Sequence, residues 1–246
     1  MNVHLAETGF IRKNILNGNL KGLKFPILFS FNAFQDLETY HPHATSLIVD
    51  SGAFTFQQKG IEKLNEYVEN YKKFINKYKK YPNTWFVELD IENKVGYNNV
   101  KKIRKELLKI TPNIIPVWHK ERGLNDYKKT CKEFNYIGIS GVNGDDLFNE
   151  KEMRVFVNYA HKHNTKVHGF GVHKDKTLKT VPFDSVDATS WCKATIFGNY
   201  KGKKLSSDYR RKHYDNVAFL EILDGIKKVE YYKKYWRDKI NVCENH

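Results

Sequence analysis

The sequence predicts an α/β protein whose parallel strands close into a (β/α)8 TIM-type barrel, one domain spanning residues 1–246. Three observations predict it. Short apolar, β-branched runs alternate with segments of helical periodicity along the chain, without internal repeats or low-complexity linkers, the pattern of a parallel sheet wrapped by helices. Seven such runs are distinct and an eighth fits near the N-terminus, a count that favours a closed barrel over an open doubly wound sheet. No GxGxxG or P-loop follows a strand, so a dinucleotide or nucleoside-triphosphate fold has no support.

The elements follow in order. Residues 1–24 are mixed, with room for a short strand and the entry to the core. Phe25 to Phe31 is the first clear strand, and Leu47 to Asp50 the next. After Gly60 the residues Ile61, Leu64, Tyr67, Val68, Tyr71, Phe74, Ile75 and Tyr78 recur at threes and fours, one face of a helix. Lys72, Lys73, Lys77 and Lys79 lie on its solvated side and Pro82 ends it. Trp85 to Asp90 is a strand followed by a helix marked by Val100, Ile103, Leu107 and Leu108, and Asn113 to His119 is again apolar and β-branched. A short helix around Leu124 to Phe134 leads to the strand Tyr136 to Ser140. Met153, Phe156, Val157 and Ala160 mark the next helix, Lys166 to His173 a glycine-bearing strand and loop, and Ser185 to Thr189 the last strand. A basic loop then precedes a helical tail, at about residues 206–240, in which Phe219, Ile222, Leu223, Ile226, Val229, Tyr232 and Trp236 keep helical spacing.

Composition sets further bounds. With 246 residues, 40% hydrophobic and 28% charged, the chain can build one substantial core. The net charge of +14 draws polyanions, which makes nucleic acid the first partner to consider. The abundance of Lys, Asn, Ile and Tyr together is equally what an AT-rich coding sequence produces. Cys131, Cys192 and Cys243 are far apart, odd in number and without a CxxC pair, which argues against a disulfide scaffold or a structural zinc and fits a reducing cytoplasm. No apolar stretch reaches the length of a membrane span and the start lacks a signal-peptide core, so no membrane is expected.

Three apolar runs end in aspartate: Asp50 in SLIVDSGAF, Asp90 in FVELD and Asp187 in SVD. In a barrel the carboxyl ends of strands form the active-site mouth, so Asp50, Asp90, His119, Gly138 to Gly141, His168 to Gly171 and Asp187 converge there. An aspartate at such a place also serves as a helix cap. The order and content of these segments resemble the tRNA-guanine transglycosylase superfamily, and most closely its short branch, the 7-deazaguanine DNA transglycosylases of phages and bacteria. Asp50-Ser51-Gly52-Ala53-Phe54 resembles the family's DSGGFQ, with Ala53 for the second glycine and Thr55 for the glutamine. Asp90 resembles its base-reading aspartate, and Val117-Trp118-His119 its glutamine-bearing strand with histidine substituted. Tyr136-Ile137-Gly138-Ile139-Ser140-Gly141 resembles YxIGGL, His168-Gly169-Phe170-Gly171 resembles MGVG, and Asp184-Ser185-Val186-Asp187 resembles the strand that carries the nucleophile. The matches run in family order from about Pro26 to Trp191. The zinc site of the tRNA enzymes and the segment that holds it are absent.

The resemblance implies a pentosyltransferase that exchanges guanine in DNA for a free 7-deazaguanine base, such as 7-cyano-7-deazaguanine, through a covalent aspartyl-nucleoside intermediate. No cofactor and no metal are implied. By resemblance Asp187 is the nucleophile and Asp50 the proton shuttle. Asp90 accepts from the guanine-like edge, His119 assists, and Ser51, Gly52, Phe54, Trp118, Gly138, Ser140, Gly141, His168, Gly169 and Phe170 complete the base site. Two carboxylates with separate roles suit displacement at a nucleoside C1′, and a target base inside a duplex has to be flipped out. Phe54, Trp118 and Phe170 are stacking candidates, each also suited to a core. Lys201, Lys203, Lys204, Arg210, Arg211 and Lys212 follow the nucleophile strand and would hold phosphates, or form a solvated loop. The resemblance also implies a cytoplasmic location, in the bacterial host cell for a phage-encoded enzyme, and leaves room for an accessory protein. Without the zinc segment DNA is favoured over tRNA. The same chemistry on RNA, a catalytically inactive nucleic-acid-binding subunit, and a metal-dependent hydrolase using His168, His173 and Asp90 are the alternatives; His161 and His163, two apart on a helix, do not face one metal.

Overall fold

The computed structural model describes residues 1–33, 36–53, 62–140, 149–188, 190–200 and 203–244. Nine strands, β1 (Asn2–Ala6), β2 (Phe25–Ser30), β3 (Ala44–Asp50), β4 (Thr84–Val87), β5 (Ile114–Ile115), β6 (Val117–Trp118), β7 (Tyr136–Ile139), β8 (Lys166–Gly169) and β9 (Ser185–Ala188), form one parallel sheet in the order β5-β4-β3-β2-β1-β9-β8-β7-β6. The two ends of that order, β5 and β6, are halves of a single run divided by Pro116. β5 pairs with β4 and β6 with β7, so the sheet curls into a nearly closed barrel with eight strand positions. Pro116 has no N–H to give a ladder, while its carbonyl accepts from Gly138 N at 2.8 Å. The strand predicted near the N-terminus is β1, which pairs with both β2 and β9.

Alternation along each strand sorts the residues. Ala6, Leu28, Ile48, Val87, Ile115, Val117 and Tyr136 form an apolar cluster inside the barrel, with Trp85 and Phe170 against it. Leu5, Ile27, Phe29, Leu47, Val49, Phe86, Ile137, Val167 and Val186 belong to the larger core between sheet and helices. Apolar on both faces, the strands read as continuous hydrophobic runs, as buried parallel strands do.

Around the sheet lie α1 (Phe10–Leu16), α2 (Leu64–Tyr78), α3 (Glu92–Val95), α4 (Tyr97–Leu108), α5 (Gly123–Glu133), α6 (Glu150–Lys162), α7 (Asp175–Thr180), α8 (Lys193–Phe197), α9 (Ser207–Lys212) and α10 (Tyr214–Glu244). The periodicity after Gly60 is realised in α2, which buries Tyr71, Phe74, Ile75 and Tyr78. The expected C-terminal tail is instead a wall of the barrel. α10 buries Val217, Ala218, Ile222, Val229, Tyr232 and Trp236, and a Cβ at Gly225 would lie 3.0 Å from Leu5 of β1, so the small residue lets the helix approach the strand closely. Among the described residues no helix is long and apolar enough to cross a membrane.

Candidate active site

Asp50 ends β3, and the chain turns sharply after it. Gly52 has φ +72°, and a Cβ there would stand 2.5 Å from Asn32 Cβ, so only glycine fits. Its N–H donates to Asp50 Oδ1 at 2.6 Å, and the Ser51 hydroxyl donates to the Glu88 carbonyl at 2.8 Å, which ties the end of β3 to the end of β4. Burial pushes the Asp50 carboxyl up to about 6; the Gly52 N–H opposes the rise, and the charges of Asp187 and Asp90 add to it. The three aspartates therefore share one rim.

Asp90 follows β4 and is held by His119, whose Nε2 lies 2.7 and 2.8 Å from its two oxygens. Burial lowers the His119 pKa, but the hydrogen bond and charge of Asp90 outweigh it, and the net shift is upward. Arg122 lies 3.8 Å from Asp90 and 2.5 Å from Glu92, with its guanidinium 4.0 Å over the Tyr97 ring. Asp187, on β9, accepts at Oδ1 from the Gly171 N–H at 2.8 Å.

A cavity of about 420 Å³ opens between these strand ends. Asp50, Ser51, Asp90, His119, Ser140 and Phe170 line it, with Val87 and Val117 at its base. Asp187 stands at the same rim, within charge reach of Asp50, but outside this lining. Gly138 lies beneath Phe170, whose ring would be 2.3 Å from a Cβ there, so the glycine makes room for the aromatic floor.

Three expected base contacts are corrected. Trp118 is 1% exposed and packs on Tyr127 and Phe156 at 4.8 and 5.2 Å; as the strand neighbour of inward Val117, it faces the helices. Gly169 also faces outward, where a Cβ would meet Val172 and Phe183. His168 is 0% exposed, under the Phe170 ring at 4.5 Å, and reaches Asp187 rather than the cavity. Phe54, Gly141 and Lys201 lie outside the described residues, as does the side chain of Arg210. Lys203, Lys204, Arg211 and Lys212 are exposed in the connection that leaves the mouth end of β9, and Arg211 pairs with Asp208 at 2.7 Å. Among the described residues, no group of three or more His, Cys, Asp and Glu could hold a metal ion.

Several polar residues at this end were not legible in advance. Glu92 and Asn93 line the cavity. Glu7, just past β1, accepts from the Arg12 N–H at 2.9 Å at the start of α1, and burial pushes its carboxyl up to about 7. Glu88 is fully buried; it accepts from the Val117 N–H at 2.6 Å and faces Arg104 at 3.5 Å. Burial raises the Glu88 carboxyl to about 7 against the pull of Arg104. Glu88→Ala would leave the Arg104 charge and an inter-strand N–H unpaired, and is expected to cost about 3–5 kcal/mol, read as a lower midpoint in urea.

No family model matches the chain, and no curated protein matches it. Among solved structures it is similar to a protein described as a fructose-1,6-biphosphate aldolase from Coccidioides immitis, at 11% identity and a TM-score of 0.55 over 94% of this chain and 92% of that one. Weaker likenesses are to the YdjI aldolase of Escherichia coli K12 (10%, TM-score 0.46, 92% and 90%) and xylanase 10B of Thermotoga maritima (11%, TM-score 0.47, 93% and 96%). At such identity the first likeness is one of architecture, and the chain is a TIM-barrel-like α/β protein.

Proposed function

We propose that this barrel is a base-exchange transglycosylase, replacing guanine in DNA with a free 7-deazaguanine such as 7-cyano-7-deazaguanine. The observation that carries the reading is the Asp50–Asp187 pair at one rim beside a cavity of about 420 Å³, set among the segments that resemble the transglycosylases. A carboxyl raised to about 6 exchanges protons near neutral pH, and a second carboxylate beside it is free to attack carbon.

In the first half-reaction an Asp187 oxygen attacks C1′, the C1′–N9 bond breaks, and Asp50 protonates the departing guanine. In the second, N9 of the incoming base attacks C1′, Asp50 takes its proton, and the bond to Asp187 breaks. Two displacements restore the original configuration. Asp90, an acceptor-only group when ionised, suits the N1–H and amino group of a guanine edge; His119 Nε2, at 2.7 and 2.8 Å from its two oxygens, holds that carboxylate in place. Phe170 forms the floor.

The polymer meets the connection after β9. Lys203, Lys204 and Lys212 are exposed there, and so are the aromatic side chains of Phe197 (73%) and Tyr209 (50%), which supports a phosphate-binding surface with stacking positions. Binding is therefore expected to weaken steeply with salt.

The test is incubation of the protein with duplex DNA, single-stranded DNA and tRNA, each carrying radiolabelled guanine, with excess 7-cyano-7-deazaguanine. Guanine release from DNA with incorporation of the new base is the expected result. Release from tRNA alone would transfer the activity to RNA, and salt-sensitive binding without release from any polymer would leave a non-catalytic subunit.

A further inference from the structure

Below the mouth a line of hydrogen-bonding groups runs over the neighbouring strands β7, β8 and β9 to Asp187. The hydroxyls of Tyr136 and Ser185 share a hydrogen bond, Ser185 Oγ lies 2.5 Å from His168 Nδ1, and His168 Nε2 lies 3.4 Å from Asp187 Oδ1. His168 is wholly buried, and its Nε2 has no formed hydrogen bond; the carboxylate is the polar group recorded within its reach. His4 meets the His168 ring edge at 5.8 Å and bonds Ser46 instead, at 2.6 Å.

We infer that His168 is a positioning residue for the nucleophile, aiming an Nε2–H at Asp187 Oδ1, so that Oδ2 is the oxygen that bonds C1′. The inference rests on Asp187 being the nucleophile. The polarity of the chain supports it. Tyr136 is 6% exposed and its recorded partner is Ser185, so its proton goes to Ser185 Oγ. Ser185 then has its own proton for His168 Nδ1, and a neutral ring with an acceptor Nδ1 carries its hydrogen on Nε2. The reverse order would strand the Tyr136 proton, and in a neutral ring it would point a bare nitrogen lone pair at a carboxylate.

Oδ1 thus faces two donors, the Gly171 N–H at 2.8 Å and the more distant His168 N–H, while no hydrogen-bond partner of Oδ2 is recorded among the described residues. Donors at Oδ1 matter most in the second half-reaction. As N9 of the incoming base bonds C1′, the C1′–Oδ2 electron pair returns to the carboxylate and the N9 proton passes to Asp50. The returning negative charge is shared with Oδ1, where the imidazole N–H closes on it; such contacts are often long in an unliganded site. Without His168 the carboxylate is a poorer leaving group, and the enzyme stalls as its covalent adduct.

The first experiment is a 15N spectrum of the wild-type ring in the full chain. A pyrrole-type Nε2 and a pyridine-type Nδ1 are expected, and the opposite tautomer overturns the inference whether or not the protein is a transglycosylase. The second uses a radiolabelled single-stranded oligodeoxynucleotide with 7-cyano-7-deazaguanine, scoring protein-linked label on denaturing gels. In His168→Leu the adduct should accumulate roughly 10-fold, and kcat should fall roughly 10–100-fold together with the KM for the oligonucleotide. His168→Gln, whose amide N–H reaches a similar position, should recover most of the rate. Ser185→Ala, which keeps the ring but releases Nδ1, should shift both readouts in the same direction by less. A folded His168→Leu with wild-type adduct and kcat overturns the inference. A wild type that releases no guanine and forms no adduct counts instead against the proposed function, and the spectrum still decides the tautomer.

Discussion

Asp187→Ala is expected to abolish guanine exchange while binding to DNA persists. Removing a covalent nucleophile deletes the intermediate rather than slowing it, and losses of about 10⁴-fold or more are usual for a group that forms the bond being made. Binding survives because the exposed cations Lys203, Lys204 and Lys212 lie elsewhere. Alanine leaves the Gly171 N–H without its acceptor, a cost of about 1–3 kcal/mol, so thermal melting accompanies the assay. The readouts are radiolabelled guanine release, the covalent adduct, and fluorescence anisotropy of DNA at low salt. Undiminished release by this variant would remove Asp187 from the reaction.

Asp50→Asn is expected to lower exchange by about 10²–10⁴-fold, the span of a lost general acid and base, and at the same time to stabilise the fold. The folded carboxyl sits near 6 against an ordinary 3.8 for aspartate, so between those values the native state binds more protons than the unfolded state. Stability therefore falls as pH rises from about 4 to about 6, and above that the penalty is fully present. Asparagine keeps the acceptor for the Gly52 N–H and has nothing to ionise. The variant should gain up to about 2–3 kcal/mol at pH 7–8, a trade of stability for activity common at catalytic groups. Paired urea titrations at pH 4 and pH 8 check it: the gain should appear at pH 8 and vanish at pH 4. In the wild type, single-turnover guanine release should decline as pH rises through about 6, because the acid form of Asp50 is being lost. Flat release across that range, or equal stability of the two proteins at pH 8, would contradict the role.

The parts of the site visible in the sequence are those that strand grammar encodes. A β-branched run closed by a carboxylate put Asp50, Asp90 and Asp187 at strand ends, where Asp50 and Asp187 lie on β3 and β9 while β4 stops at Val87, short of Asp90, and alternating runs and helical periods gave the barrel. The same grammar, applied residue by residue, separates Trp118 from Val117 and His119, since neighbours on a strand face opposite sides. β1 was harder to read because NVHLA is short and puts a polar residue, His4, into the lumen. α10 was read as a tail because its periodicity shows an apolar face without saying what the face covers. The pairings of Glu88 with Arg104, Asp90 with His119 and Arg122 with Glu92 join segments whose spacing carries no signature; only the closed fold brings them together.

The division of one strand by Pro116 has a consequence for how the barrel opens. On the β4 side, the Val117 N–H is satisfied by the Glu88 carboxylate and not by a strand carbonyl, so the seam between the half-barrels 1–115 and 117–244 is closed partly by a side chain. Amide hydrogen exchange should be fastest along this line relative to the β1–β2 and β2–β3 ladders, and the exchange of Val117 should respond to pH near 7, where Glu88 changes its proton. A chain cut at the seam would then be expected to reassemble from its two pieces, one carrying β1 to β5 and the other β6 to β9, each with an aspartate-bearing part of the rim.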